Sequence, residues 1–149
     1  MKTCLTLLVT VLFLIPASAD DVDDVTAAVE TYFSSLNAGN VDGWIELFAE
    51  GHTTFAGGGG MLEQTDSLEE QRRGRQAGVD AGLTRNLAGR HIEVRIYGTS
   101  TAVATNYVVG SLTPAGGTPQ RILRRRTAVL VKQGSQWKIV HRHISSLTQ

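Results

Sequence analysis

The sequence predicts an α+β domain in which an antiparallel sheet packs its helices on one face. Between Val22 and Arg90 the apolar residues recur at three- and four-residue steps, whereas after Arg90 they alternate in β-branched segments separated by turn residues. Helices first and strands last, with no internal repeat, is the order of a segregated α+β domain.

Ahead of that domain stands a leader. Lys2 provides a positive start, Leu5 to Ile15 an apolar run, and Pro16-Ala17-Ser18-Ala19 a small-residue cleavage motif, so residues 1–19 read as a signal peptide and 20–149 as the domain. An apolar run of about eleven residues is short of the roughly twenty that cross a bilayer, so cleavage and a secreted or periplasmic protein free of the membrane are expected. Cys4, the one cysteine, falls inside the leader. Stability must then come from burial without disulfides, which about 130 residues can supply as one core. The chain carries 14 basic and 14 acidic residues, and losing Lys2 leaves a formal charge of about −1. A near-neutral exported chain is not expected to partner nucleic acid or an anionic membrane.

Val22, Val25, Ala28, Val29, Tyr32, Phe33 and Leu36 line one side of a first helix. Asp20, Asp21, Asp23 and Asp24 favour its positive N-terminal end, and Gly39 stops it. A second helix is expected over 41–49, capped by Asn40 and ended by Gly51, with Trp44, Ile45 and Phe48 on one side. Thr53 to Phe55 suit a short strand before the loop Gly57 to Gly60. That glycine run lacks the Lys-Ser/Thr of a phosphate loop and reads as flexible connection. Ser67 and Glu70 form a capping box that opens a third helix running towards Leu83. Gly74, Gly78 and Gly82 give it either a smooth packing stripe or a weakened, fraying end. Four strands follow: 91–97, 101–112, 121–132 and 136–146, joined by turns at 98–100, 113–119 and 133–135.

Three features of the strands carry candidate chemistry. His141 and His143 lie two apart and share a face, with Trp137 and Ile139, if the last strand alternates without interruption. A base near neutral pH on the concave face and an interface pair on the outer face are both open on sequence alone. A His-x-His pair about 7 Å apart at Cα, with His91 and Glu93 as a second pair, lacks the spacing of a metal site, so no metal and no cofactor are expected. The run Arg121 to Arg126 splits between two faces of a strand and reads as a basic surface. Asn106 places a polar group in a strand centre, facing either a pocket or a neighbour's backbone.

The segments "YFSSLNAGNVDGWIELFAE", "RRTAVLV" and "WKIVHRHISS" resemble the NTF2-like superfamily, above all SnoaL-like domains, including the branch related to the calcium/calmodulin-dependent protein kinase II association domain. The most specific part is Arg125-x-Thr127-x-Val129 followed by Trp137-x-Ile139-Val140-His141-x-His143-x-Ser145. The resemblance covers the mature chain. It implies an NTF2-like cone, a curved antiparallel sheet wrapped round N-terminal helices, with an apolar pocket and a homodimer through the sheet. It does not imply one activity, because members of the superfamily catalyse, bind or merely assemble.

Ketosteroid isomerase, within that superfamily, needs a tyrosine and a protonated aspartic acid as oxyanion donors, and an aspartate base. An ungapped match on Leu36 to Gly39 puts the tyrosine at Tyr32, but the base at Ala56 and the acid at Thr127, so that proton shuttle is not expected. A cyclase-like route would rest on His141 or His143. In the association-domain branch, cone arginines bind small carboxylates, and of Arg124, Arg125 and Arg126 the one in the family pattern is Arg125. The resemblance thus points to a ligand site of Tyr32, Trp44, Phe55, Asn106, Arg125 and Thr127, with Phe33 beside them, for a small, partly apolar ligand such as a carboxylate. The alternatives are a non-catalytic dimerisation or assembly module, and an isomerase- or cyclase-like enzyme using a pocket histidine.

Overall fold

A computed structural model describes residues 19–147. The expected leader therefore lies, apart from Ala19, outside the described residues. The elements are α1 (Ala19–Ala38), α2 (Val41–Ile45), β1 (Phe48–Phe55), β2 (Glu63–Gln64), α3 (Leu68–Asp80), β3 (Thr84–Tyr97), β4 (Thr101–Thr113), β5 (Gln120–Gln133) and β6 (Gln136–Ser146). They form the α+β architecture expected: one curved, unclosed six-stranded sheet with the helices at its concave side. Strand order is β2-β1-β6-β5-β4-β3, antiparallel throughout except that β1 runs parallel to β6.

The helix α1 buries Val25, Val29, Tyr32, Phe33 and Leu36 of the expected stripe against the concave face, with Ala28 partly buried and Val22 exposed at the helix start. It can lie close because the sheet presents Ala102, Ala104 and Ala128 there, all fully buried. Gly89 serves the same approach, since a Cβ on it would stand 2.7 Å from the Phe33 ring. Gly39, at φ +67°, ends α1, and Asn40 then caps α2 by accepting from the Gly43 N–H at 3.0 Å.

Several element boundaries differ from the expectation, each for a physical reason. The second helix stops at Ile45, because Phe48 joins the sheet opposite Ile139. Gly51, expected to end that helix, instead sits within β1 at φ +69°, where the β1 and β6 register shifts. Ser67 caps α3 by accepting from the Glu70 N–H at 3.3 Å, as the capping box predicts. Its glycines do not act as one stripe: nothing lies within 4 Å of a Cβ on Gly74, a Cβ on Gly78 would meet only Leu83, and Gly82 falls past the helix at φ +80°, where a Cβ would stand 3.0 Å from Ala115. β3 begins at Thr84 rather than His91, its alternation hidden by a register shift between Arg90 and Glu93 where His91 takes φ +52°.

The last strand carries the irregularity that matters most for function. Val129 pairs with His141 and Leu130 with Ile139, leaving Val140 as an extra residue in β6. Trp137, Ile139, His141 and His143 therefore do not share a face. Trp137 and Ile139 are buried on the concave side, and past the bulge Arg142 and Ile144 continue that side. The histidines turn to the convex surface.

Candidate functional site

Inside the cone a cavity of about 240 Å³ opens between α1, α3 and the concave sheet face. Its polar lining is unusual: Arg75, Arg85, Arg124, Arg126 and Arg142 with Tyr32 and Thr54, and no Asp, Glu, His, Lys or Cys. Apolar wall comes from Phe33, Leu36, Leu87, Val108, Leu112, Ile122 and Ile144.

Strand parity supplies three of the arginines. On β5 the concave residues are Ile122, Arg124, Arg126, Ala128 and Leu130, which leaves Arg125, Thr127 and Val129 pointing away. On β6 the Val140 bulge brings Arg142 inward. Arg75 comes from α3 and Arg85 from the first residues of β3.

Tyr32 is the centre of this group. Arg142 donates from Nη1 to the Tyr32 hydroxyl at 2.8 Å and from Nε to Thr54 Oγ1 at 3.0 Å. The Arg126 guanidinium carbon lies 4.3 Å from the Tyr32 ring centroid, and its Nη1 donates to Asn106 Oδ1 at 3.3 Å. Arg75 sits 4.2 Å over Trp44, whose own ring is 5.9 Å from that of Tyr32. Such stacking spends the guanidinium face on an aromatic ring and leaves its in-plane N–H groups for other acceptors.

Burial and crowding of like charge shape the electrostatics. Burial is the largest single influence on the Tyr32 phenol and pushes its pKa up, but Arg142, Arg126 and Arg75, with the Arg142 hydrogen bond, together hold it below its usual 10. Arg126 is 2% exposed; burial first, and repulsion from Arg142, bring its pKa down to about 10 against the opposing attraction of Tyr32. Arg75 falls to about 10 by burial and by repulsion from Arg142 and Arg85, again against Tyr32. Arg126 Nε and Nη2 are buried without a hydrogen-bond partner. The ion pairs among the described residues are Arg72 with Asp42 and Lys132 with Asp21, neither in the cavity.

The structure divides the ligand set drawn from the resemblance. Tyr32 lines the cavity, Asn106 is buried behind it holding Arg126, and Trp44 is fully buried beneath Arg75. Phe55, Arg125 and Thr127 lie on the convex face: Phe55 is 38% exposed beside His143, Arg125 donates to Ser145 Oγ at 3.0 Å, and Thr127 pairs with His143. His141 is there too, its Nδ1 2.8 Å from Thr53 Oγ1. Neither histidine lines the cavity. Ala56 lines the cavity and supplies no base there. Arg124 and Arg126, weighed beside Arg125 in the sequence, differ from it only in parity and are the ones that line the cavity; Arg75, Arg85 and Arg142 were not singled out, and the bulge conceals Arg142. Among the described residues no group of three or more His, Cys, Asp or Glu could hold a metal ion.

Solved structures with the same fold include a ketosteroid isomerase-like protein from Erwinia carotovora atroseptica, at 16% identity, covering 89% of this chain and all of that one, with a TM-score of 0.73. A candidate calcium/calmodulin-dependent protein kinase II association domain from Xanthomonas campestris is 20% identical over 90% of this chain and 92% of that one, TM-score 0.70. A protein of the DUF3225 family from Pectobacterium atrosepticum reaches 29% identity over 88% and 94%, TM-score 0.60. No functionally curated protein matches the chain. The profile of the SnoaL-like domain matches residues 25–149, and with the NTF2-like cone in place the chain belongs to that family.

Proposed function

We propose that this is an exported, homodimeric SnoaL-like protein whose cone binds a small organic anion, a carboxylate or a comparable oxyanion carried on a partly apolar body. The observation that carries the reading is a cavity lined by five arginines and no acidic side chain. Uncompensated buried cations are costly, and a bound anion offsets that cost. The apolar wall of Leu87, Val108, Leu112, Ile122 and Ile144 favours an organic body over a bare ion. Export rests on the leader pattern of residues 1–19, and among the described residues no helix is long and apolar enough to cross a membrane.

Binding fits the cavity better than isomerisation of the kind named for one structural neighbour. A shuttle of that kind moves protons with carboxyl groups, and none lines this cavity. The histidine-dependent cyclase route meets the same difficulty. The assembly alternative draws support from the convex face, where Phe55 and Tyr107 are 38% and 45% exposed. Assembly through that face and ligand binding in the cone are compatible, since they use opposite sides of one sheet.

Native mass spectrometry of the protein purified from its host, without denaturation, tests this reading. A dimer carrying a small acid, displaced by excess benzoate, is the expected result. A protein that carries no acid and whose melting temperature is unmoved by millimolar organic anions would refute it.

A further inference from the structure

We propose that the cone takes its ligand by a doubly charged head, the dianion of a phosphate monoester, in preference to a single carboxylate. The proposal rests on the anion-binding reading above and narrows its ligand class.

The cationic lining is focused on one point. Arg142 bonds the Tyr32 hydroxyl, Arg126 lies over the Tyr32 ring, and Arg75 lies over the neighbouring Trp44. Arg85 is close enough for Tyr32 to favour its charged form. One guanidinium thus bonds the phenol oxygen, three more line the same cavity around Tyr32, and neither ion pair among the described residues involves any of them.

Charge balance then separates the candidate heads. A carboxylate compensates one of four clustered cations and leaves three repelling one another in a partly desolvated space. A phosphate monoester at pH 7.5 carries close to two charges on three strong acceptor oxygens, and arginine forks match those oxygens in pairs. Arg126 Nε and Nη2, buried and without acceptors, mark where the field of a second negative charge counts most. Two mounting details suit a bulky head. Arg75 and Arg126 lie over aromatic rings, a contact that uses no N–H donor, and Asn106 orients Arg126 by accepting from its Nη1.

The body of the ligand has a direction as well. Arg126, Arg124 and Ile122 share the inner face of β5, so Ile122 stands about 13 Å along the strand from Arg126. Leu112 and Ile122 both line that end of the cavity. An ester with an aromatic or aliphatic body fills the cavity from the Tyr32 end towards them, whereas inorganic phosphate uses only the head site.

Isothermal titration calorimetry with three probes, phenyl phosphate, benzoate and inorganic phosphate, at pH 7.5 and pH 5.0 tests this. The side chains lining the cavity are arginines, a tyrosine and non-titrating groups, so within the cavity only the second proton of the phosphate changes, with a pKa near 6; His52, buried near Arg142 but outside the lining, acts on both organic probes alike, and the benzoate arm reports its effect. Phenyl phosphate should bind at least tenfold more tightly than benzoate at pH 7.5 and lose about tenfold at pH 5.0, while benzoate changes less than twofold. Arg75→Met, on a helix that buries no residue, should reduce phenyl phosphate affinity several-fold more than benzoate affinity. Benzoate binding equal to or tighter than phenyl phosphate, or phenyl phosphate affinity indifferent to pH, would overturn the dianion while leaving anion binding in place. Inorganic phosphate as tight as phenyl phosphate would overturn the organic body. Failure of all three probes to bind would remove the anion-binding reading itself, and this proposal with it.

Discussion

Arg126 shows how a single residue can set stability against function. Its pKa falls from the ordinary arginine value to about 10 in the folded protein, and at 1.36 kcal/mol per pH unit that is a cost on the order of 3 kcal/mol for keeping the charge. A base depressed in the folded state carries this cost at every pH below about 10 and sheds it only as the pH rises from there towards the ordinary arginine value, so the cost is complete at neutral pH. Arg126→Met removes the charge but strands Asn106 Oδ1, which costs about 1–3 kcal/mol. The expected balance is a protein about 1 kcal/mol more stable, melting roughly 3–5 °C higher, that no longer binds organic anions. Calorimetry of variant and parent decides the matter. A lower melting temperature would mean that the charge is already compensated within the folded chain.

At the scale of elements, glycines with the same sequence appearance have opposite consequences. Gly110 in β4 stands at φ +139°, and a Cβ there would lie 1.9 Å from the Asn86 carbonyl oxygen on β3, a backbone atom that cannot rotate away. Gly110→Ala is expected to cost about 3 kcal/mol or more, or to prevent folding. Gly74 in α3 has nothing within 4 Å, so Gly74→Ala should instead stabilise by up to about 1 kcal/mol, and chemical denaturation of the two variants distinguishes them. A pH-dependent link joins β1 to α3: buried His52 donates from Nδ1 to the Ala49 carbonyl at 3.0 Å and accepts at Nε2 from the Gln71 amide at 3.1 Å. Burial is the first cause that lowers its pKa below 6.5, so on acidification the unfolded chain takes the proton before the folded one. Its contribution to stability is complete above about pH 6.5 and is lost as the pH falls through that value towards the lower folded one. The melting temperature should therefore drop between pH 6.5 and 5, and His52→Gln should flatten that part of the profile. The helix caps at Asn40 and Ser67 were legible in the sequence because capping is local. The Val140 bulge was not, since one inserted residue leaves no mark in a run of apolar and polar residues that alternates well on either side of it.

Over the whole molecule, fold was legible because apolar period and element order are summed over many residues, whereas the site depends on parity at three or four positions. Between Arg125 and Arg126 the sequence offers no choice, since Val129 and Val131 on one face of β5 are as apolar as Ala128 and Leu130 on the other. That ambiguity itself carries information, because a strand with two apolar faces is usually covered on both. The helices cover the concave face; the convex face presents a continuous row of Val103, Val129, His141 and Thr53 in register, beside a second row of Thr105, Thr127, His143 and Phe55. With Tyr107 exposed at its edge, this surface suits the sheet-to-sheet homodimer proposed above. Val129→Glu places a charge at the centre of the first row without touching the cavity. Sedimentation equilibrium should find the parent as a dimer and the variant as a monomer, with benzoate still raising the melting temperature of both. A parent that sediments as a monomer would sink the dimer, while a variant monomer that no longer responds to benzoate would show that the cone is completed by assembly.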